Sequence, residues 1–167
     1  MSREVAAVIV IAVIALALGL MALGWRRRRA RQADLPELAA APADAELGDV
    51  HFAASALHVA TTRSGDAYDR IAVRGLGFRS AADLTVADAG LVLALTGQPV
   101  RLIPVAALEG VARATWTIDR AVERDGLVRV TWRLGDARLD SDFRTEDPAA
   151  LVRALGRILP ATESEAA

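Results

Sequence analysis

The sequence predicts an N-terminal transmembrane α-helix followed by a mainly-β domain, a bent antiparallel sheet of about seven strands capped by one C-terminal helix. Three observations predict it. Residues 5–24 are an unbroken apolar run, and Arg26-Arg27-Arg28-Arg29-Ala30-Arg31 follows almost at once. From residue 57 the pattern changes to short alternating runs separated by turn residues. After Asp147-Pro148 the hydrophobic period switches to that of a helix.

The apolar run VAAVIVIAVIALALGLMALG has no charge and no proline. As a helix it would be roughly 30 Å long, which matches the hydrocarbon core of a bilayer. In lipid such a helix satisfies its own backbone groups. The run is too long for a signal-peptide core, and its strong positive charge follows it rather than preceding it. Arginine resists translocation, so the expected arrangement is an N-terminus outside and residues 26–167 in the cytoplasm, at the inner (plasma) membrane. Residues 1–25 are the expected anchor. Trp25, Arg26, Arg27, Arg28, Arg29 and Arg31 are the expected membrane-interface residues, with the indole at headgroup level. The arginines would set topology, and a polybasic segment also attracts anionic headgroups. Ala15 and Gly19 lie four apart, a spacing that lets two such helices pair as a homodimer.

Charge is divided along the chain. Residues 1–32 hold six Arg and one Glu, and residues 33–167 hold fourteen Arg and twenty acids. A net negative domain is not drawn as a whole to nucleic acid, so no nucleic-acid partner is expected. All twenty basic residues are arginine, and there is no cysteine. Disulfides, thiolate metal sites and lysine chemistry are therefore excluded.

Residues 26–56 are expected as a polybasic juxtamembrane segment and flexible linker, rich in alanine and acids with Pro36 and Pro42. The domain is expected over 57–160. Strands are expected at 57–62, 71–74, 84–87, 91–95, 100–103, 111–118 and 128–134, with a last strand through Leu139, Ser141 and Phe143. Asp88-Ala89-Gly90 marks a hairpin, Ser64-Gly65-Asp66 a loop, and 104–108 a single helical turn. Arg124-Asp125-Gly126 and Gly135-Asp136 mark further turns. In 111–118, Ala112, Ala114, Trp116 and Ile118 are expected to share the apolar face. Val128, Val130, Trp132 and Leu134 alternate against Arg129, Thr131 and Arg133. Asp147 is the expected N-cap of the final helix, whose stripe is Leu151, Val152, Leu155, Ile158 and Leu159. Residues 161–167 are expected as a disordered tail.

Chemistry-bearing sets are few. His51 and His58 have no companion ligands at metal spacing. Asp140 and Asp142 project from one face of a strand, which suits a cation, acid/base work or cross-strand pairing with arginine. Trp116 and Trp132 read as core anchors. No nucleophile has a visible base, so no catalytic residue, metal or cofactor is expected.

The layout resembles small actinobacterial membrane proteins with one N-terminal span and a cytoplasmic bacterial pleckstrin-homology-like (PH-like) domain. The residues that carry it are His58-Val-Ala-Thr-Thr-Arg-Ser-Gly, Asp69-Arg-Ile-Ala-Val-Arg-Gly-Leu-Gly-Phe-Arg, Leu84-Thr-Val-Ala-Asp, Arg113-Ala-Thr-Trp-Thr-Ile-Asp and Val130-Thr-Trp-Arg-Leu-Gly-Asp. The resemblance covers nearly the whole chain. It implies a seven-stranded bent sheet with a helical cap, and no activity. PH-like domains can bind lipid headgroups through basic residues in their first loops, a region that holds Arg63, Arg70, Arg74 and Arg79 here. The function expected is a membrane-anchored, non-catalytic adaptor or scaffold for a protein partner. The alternatives are a peripheral anionic-lipid-sensing module and an auxiliary subunit of a membrane transport or export system.

Overall fold

The computed structural model describes residues 2–32, 35–43, 46–72, 75–114 and 126–160. The chain forms two units, residues 1–34 and 35–167.

The first unit is helix α1, Arg3–Arg31. Glu4 in its first turn and arginines in its last both suit the helix dipole. Its stretch Arg3–Arg27 has a mean hydropathy of 3.0 and is long and apolar enough to cross a membrane. Large apolar side chains such as Val8, Ile11, Leu16 and Met21 stand exposed along it. A helix apolar on all sides calls for an apolar surrounding.

The second unit is a nine-stranded antiparallel sheet closed by one helix. Its strands are β1 Ala39–Ala40, β2 Val50–Arg63, β3 Asp66–Arg70, β4 Ser80–Ala87, β5 Gly90–Leu95, β6 Arg101–Pro104, β7 Leu108–Ala114, β8 Leu127–Leu134 and β9 Ala137–Thr145. Helix α2 is Pro148–Ile158. The strand order is β1-β6-β5-β4-β2-β9-β8-β7, with β3 paired to β2. The fourteen-residue β2 organises the sheet. Its first part pairs with β4, as far as His58↔Ser80, and its second part pairs with β9, from Ala56↔Thr145 to Arg63↔Leu139. The register shifts between His58 and Ala60. A shift of this kind bends a strand and sharpens its twist, so the two halves of the sheet face each other.

The core lies between those halves. Leu84, Val86, Leu91, Leu93 and Ile103 enter from one, and Leu108, Val128, Val130, Trp132, Leu139 and Phe143 from the other. Leu151, Ala154 and Leu155 of α2 close the space. Asp147 caps α2 by accepting from the Ala150 N–H at 2.8 Å, and Pro148 opens it. Asp88-Ala89 is the tight turn between β4 and β5. Gly90 follows with φ 140°, where an added Cβ would stand 2.1 Å from the Ile103 carbonyl oxygen.

The expected architecture is present, and the differences lie in its margins. Among the described residues the sheet has nine strands, and the one with no counterpart in the expected set is the short β1. The expected linker is the main correction. β2 begins at Val50 rather than Leu57. Leu35, Leu38 and Leu47 are buried, and β1 pairs with β6 through Ala39↔Leu102 and Ala40↔Arg101. Residues 35–41 therefore clasp β6, and Leu47 packs beside it. Leu35 and Leu38 join the main core, while Leu47 and Ala41 pack with Ala87, Val92 and Leu102 in a second cluster. Three leucines outweigh the alanine, acid and proline around them. The stretch between the end of α1 and the first buried leucine is only residues 32–34.

Two strand readings also shift. The second strand is Asp66–Arg70 rather than 71–74. Ile71 is buried just beyond it, with its N–H on the Thr61 carbonyl at 2.9 Å. In β7, Val111 packs against the core and Ala112 is exposed, the reverse of the expected faces. A register shift between Leu108 and Gly110 changes the parity there. The expected end of that strand at 115–118 with Trp116, the Arg124-Asp125 turn, and the tail 161–167 lie outside the described residues.

Candidate interaction surface

α1 continues as a helix through the arginine block. Trp25, Arg26 and Arg27 are exposed on it. The side chains of Arg28, Arg29 and Arg31 lie outside the description. Polar groups gathered at the end of an apolar helix match what a membrane boundary selects.

Three of the four loop arginines lie among the described residues. Arg63 pairs with Asp69 at 3.0 Å. Arg70 is half-buried and donates from Nη2 to the Val59 carbonyl at 2.7 Å. Arg79 is exposed. Arg74 lies outside the described residues. Sequence reasoning passed over two neighbours of this group. Tyr68 is 81% exposed and Phe78 is 71% exposed. Their signal was an aromatic in a Gly- and Arg-rich stretch, where no strand period assigns it to the core.

Asp140 and Asp142 do share a face, and that face is occupied by partners. Arg129 donates to both oxygens of Asp142, from Nε at 2.8 Å and Nη2 at 2.9 Å. Thr131 donates to Asp140 at 2.8 Å. The paired carboxylate raises the Arg129 pKa, by its hydrogen bonds above all. Glu109 bridges Arg133 and Arg138 at 2.9 and 2.6 Å. Burial works against the Glu109 charge, but the hydrogen bonds and fields of the two guanidinium groups outweigh it, so its carboxyl sits below its ordinary value. The outer face of β8 and β9 is thus a ladder of satisfied ion pairs. Among the described residues no group of three acidic or histidine side chains could hold a metal ion.

The histidines separate. His51 pairs with Asp88 at 2.7 Å, and Asp88 also accepts from the Asp49 N–H at 2.9 Å. Both contacts lower the Asp88 pKa, the backbone bond most. His58 is fully buried where β2 passes from β4 to β9. Its ring stands 5.6 Å from that of Phe143. Its nitrogens meet the Phe78 carbonyl at 3.2 Å and Thr61 Oγ1 at 2.9 Å.

A cleft of about 180 Å³ lies beside the clasp, lined by Leu38, Leu76, Leu93, Leu95, Gln98 and Arg101 among others. Arg101 ties the clasp down, donating to the Leu38 carbonyl at 3.0 Å and pairing with Glu37 at 2.7 Å. The two ends of the sheet therefore differ. At one end β6 is covered by β1, and at the other β7 ends the strand order with α2 packed against it. Among the described residues no strand pairs with the outer edge of β7, and such an edge offers backbone groups to an added strand.

A family model described as bacterial PH domain-like matches residues 35–157. No curated protein matches the chain.

Proposed function

Because the chain belongs to the bacterial PH domain-like family, we propose that it is a membrane-anchored, non-catalytic adaptor that presents its β-domain to the cytoplasm for protein interaction. The observation that carries this reading is the asymmetry of the sheet ends. The β6 edge is taken by the chain's own clasp. The β7 edge is left as the place where an extended partner segment would add, with α2 alongside to receive its side chains. The ion-pair ladder on β8 and β9 engages Asp140 and Asp142, the carboxylate pair the sequence offers for acid/base work. The arginine block after the span supports a cytoplasmic domain.

The test is site-specific photo-crosslinking in cells. A photoreactive residue at Ala112 or Arg113 on β7 should join a discrete partner, while one at Arg101 on β6 should not. Equal labelling from both edges, or robust turnover of a defined substrate by the purified protein, would overturn the reading. Reporter fusions after Asp34 and at the C-terminus should both be active in the cytoplasm.

A second reading is favoured by the exposed Tyr68, Phe78 and Arg79, which together suit an anionic lipid surface. It predicts that residues 35–160, freed from the span, float with anionic vesicles and release at high salt.

A further inference from the structure

The cleft beside the clasp combines an apolar floor with one fixed cation. Leu93 and Leu95 of β5, Leu38 of the clasp and Leu76 line it, and the core behind them buries all four. Its volume of about 180 Å³ takes about six water- or methylene-sized groups, at about 30 Å³ each. Arg101, Glu37 and Gln98 form the polar part of the wall. Gly75 places the Gln98 amide there. Its φ is 78°, and an added Cβ would stand 2.7 Å from Gln98 Oε1, so only glycine lets the amide rest on that stretch of backbone.

The two members of the ion pair at this cleft are held unequally. The Arg101 backbone pairs with Ala40 on one side and Leu93 on the other, and its Nη1 donates to the Leu38 carbonyl at 3.0 Å. Its side chain is 25% exposed. Glu37 meets Nη2 at 2.7 Å with a side chain 63% exposed. A pair with one mostly solvated partner contributes little, so this carboxylate exchanges easily while the guanidinium stays in place. The cleft therefore holds a preplaced donor for an oxyanion in the same wall as its leucines.

The charge count selects the anion. Arg101 and Glu37 are the charged residues of the described lining, and they cancel. A monoanion that takes the place of Glu37 on Arg101 keeps the balance. A phosphate dianion would bring a second negative charge with no second cation lining the cleft. A cation would meet Arg101, and a wholly apolar ligand would leave the polar wall unused. We propose that the cleft binds a small aliphatic monocarboxylate of about four to six carbons, the length its volume takes. The carboxylate sits on Arg101 in place of Glu37, which turns to solvent. The Gln98 amide donates to the second oxygen, and the tail covers the leucines. This site lies near the opposite end of the strand order from β7, so it stands or falls independently of the adaptor reading.

The test uses the full chain in detergent micelles at pH 7, with ¹³C-methyl leucine and the Leu38 and Leu95 signals assigned from Leu38→Met and Leu95→Met. The probes are butanoate, hexanoate, octanoate and hexanol. Hexanoate should shift the Leu38 and Leu95 methyls in a saturable way. Affinity should rise by up to about fourfold per methylene from butanoate to hexanoate and then level off, because the cleft is filled. Hexanoate should bind about tenfold tighter than hexanol, the worth of a charged hydrogen bond. Glu37→Gln removes the resident carboxylate and should tighten hexanoate by about two- to fivefold. Arg101→Gln should abolish the preference for acid over alcohol. Any of the following would overturn the proposal: no saturable shift with hexanoate, hexanol binding as tightly as hexanoate, affinity that keeps rising through octanoate as plain partitioning would, or a Glu37→Gln chain that binds hexanoate no better. The comparison among probes is read in the unaltered protein, so the test stands even if Arg101→Gln folds poorly.

Discussion

Leu38→Ala is the sharpest test of the clasp. Leu38 is almost fully buried and belongs to the main core cluster. Its carbonyl accepts from Arg101, and the two residues after it pair with β6. Truncating a buried leucine costs about 2–5 kcal/mol. Leu38 also lines the cleft of about 180 Å³, so part of its side chain already faces space rather than atoms. The expected cost is therefore at the low end, about 2–3 kcal/mol. For a domain of this size that is a fall in Tm on the order of 10 °C. The assay is urea unfolding of the full chain in detergent, followed by tryptophan fluorescence, because Trp132 is buried in the same core. The midpoint should fall at constant slope. Glu37→Gln provides the contrast. Its carboxylate pairs with Arg101 but is mostly exposed, so its loss should cost under about 1 kcal/mol. A Leu38→Ala cost under about 0.5 kcal/mol, the level of an ordinary surface change, would refute the clasp and return residues 35–41 to a tether.

Gly90→Ala should abolish soluble expression or cost more than about 3 kcal/mol, because its Cβ would collide with the Ile103 carbonyl at an already left-handed φ; thermal unfolding of any recovered protein reads this. Asp142→Ala should cost about 1–3 kcal/mol by removing both hydrogen bonds that the half-buried Arg129 donates to it, while Asp142→Ala/Arg129→Ala should recover part of it, as a double-mutant cycle in urea would show. Glu109 has a depressed pKa, so its stabilising pairs are fully present above its ordinary 4.5 and are lost as pH falls through its lower folded value; Arg133→Ala should flatten that acid limb in an unfolding series against pH.

The sequence carries the fold wherever one physical signal dominates. Val128, Val130, Trp132 and Leu134 are legible because one side of β8 faces the core and the other meets charged or polar partners. The α2 stripe is legible because its helix has a cap, a proline at the first position and a single packed face. Legibility fails where two signals compete. In β2, alanines at 53, 54, 56 and 60 alternate too weakly to mark a face, so the strand looks shorter than it is. In and beside the clasp, leucines at 35, 38 and 47 have no common period, because they serve two different clusters on either side of one edge. At Gly110 a register shift reverses the parity that the pattern implies. Asp140 and Asp142 were rightly placed on one face, but only the cross-strand register shows that Arg129 and Thr131 stand opposite them.

The polar chemistry of the domain points inward to architecture and outward to contact. His58, Thr61, Ser141 and Trp132 come from three strands that are distant in sequence, and each satisfies a neighbour that would otherwise be an unpaired polar group in the core. An apolar core of the same shape would need none of them. Burial lowers the pKa of His58, the one titratable member, so taking up a proton in acid opposes the fold. That cost falls at the place where β2 changes partners and where the segment bearing the most exposed phenylalanine begins. A network used only for rigidity could sit anywhere along the sheet. This one ends on the backbone of an exposed aromatic residue, so the bonds that satisfy the core also hold the start of the surface segment at Phe78.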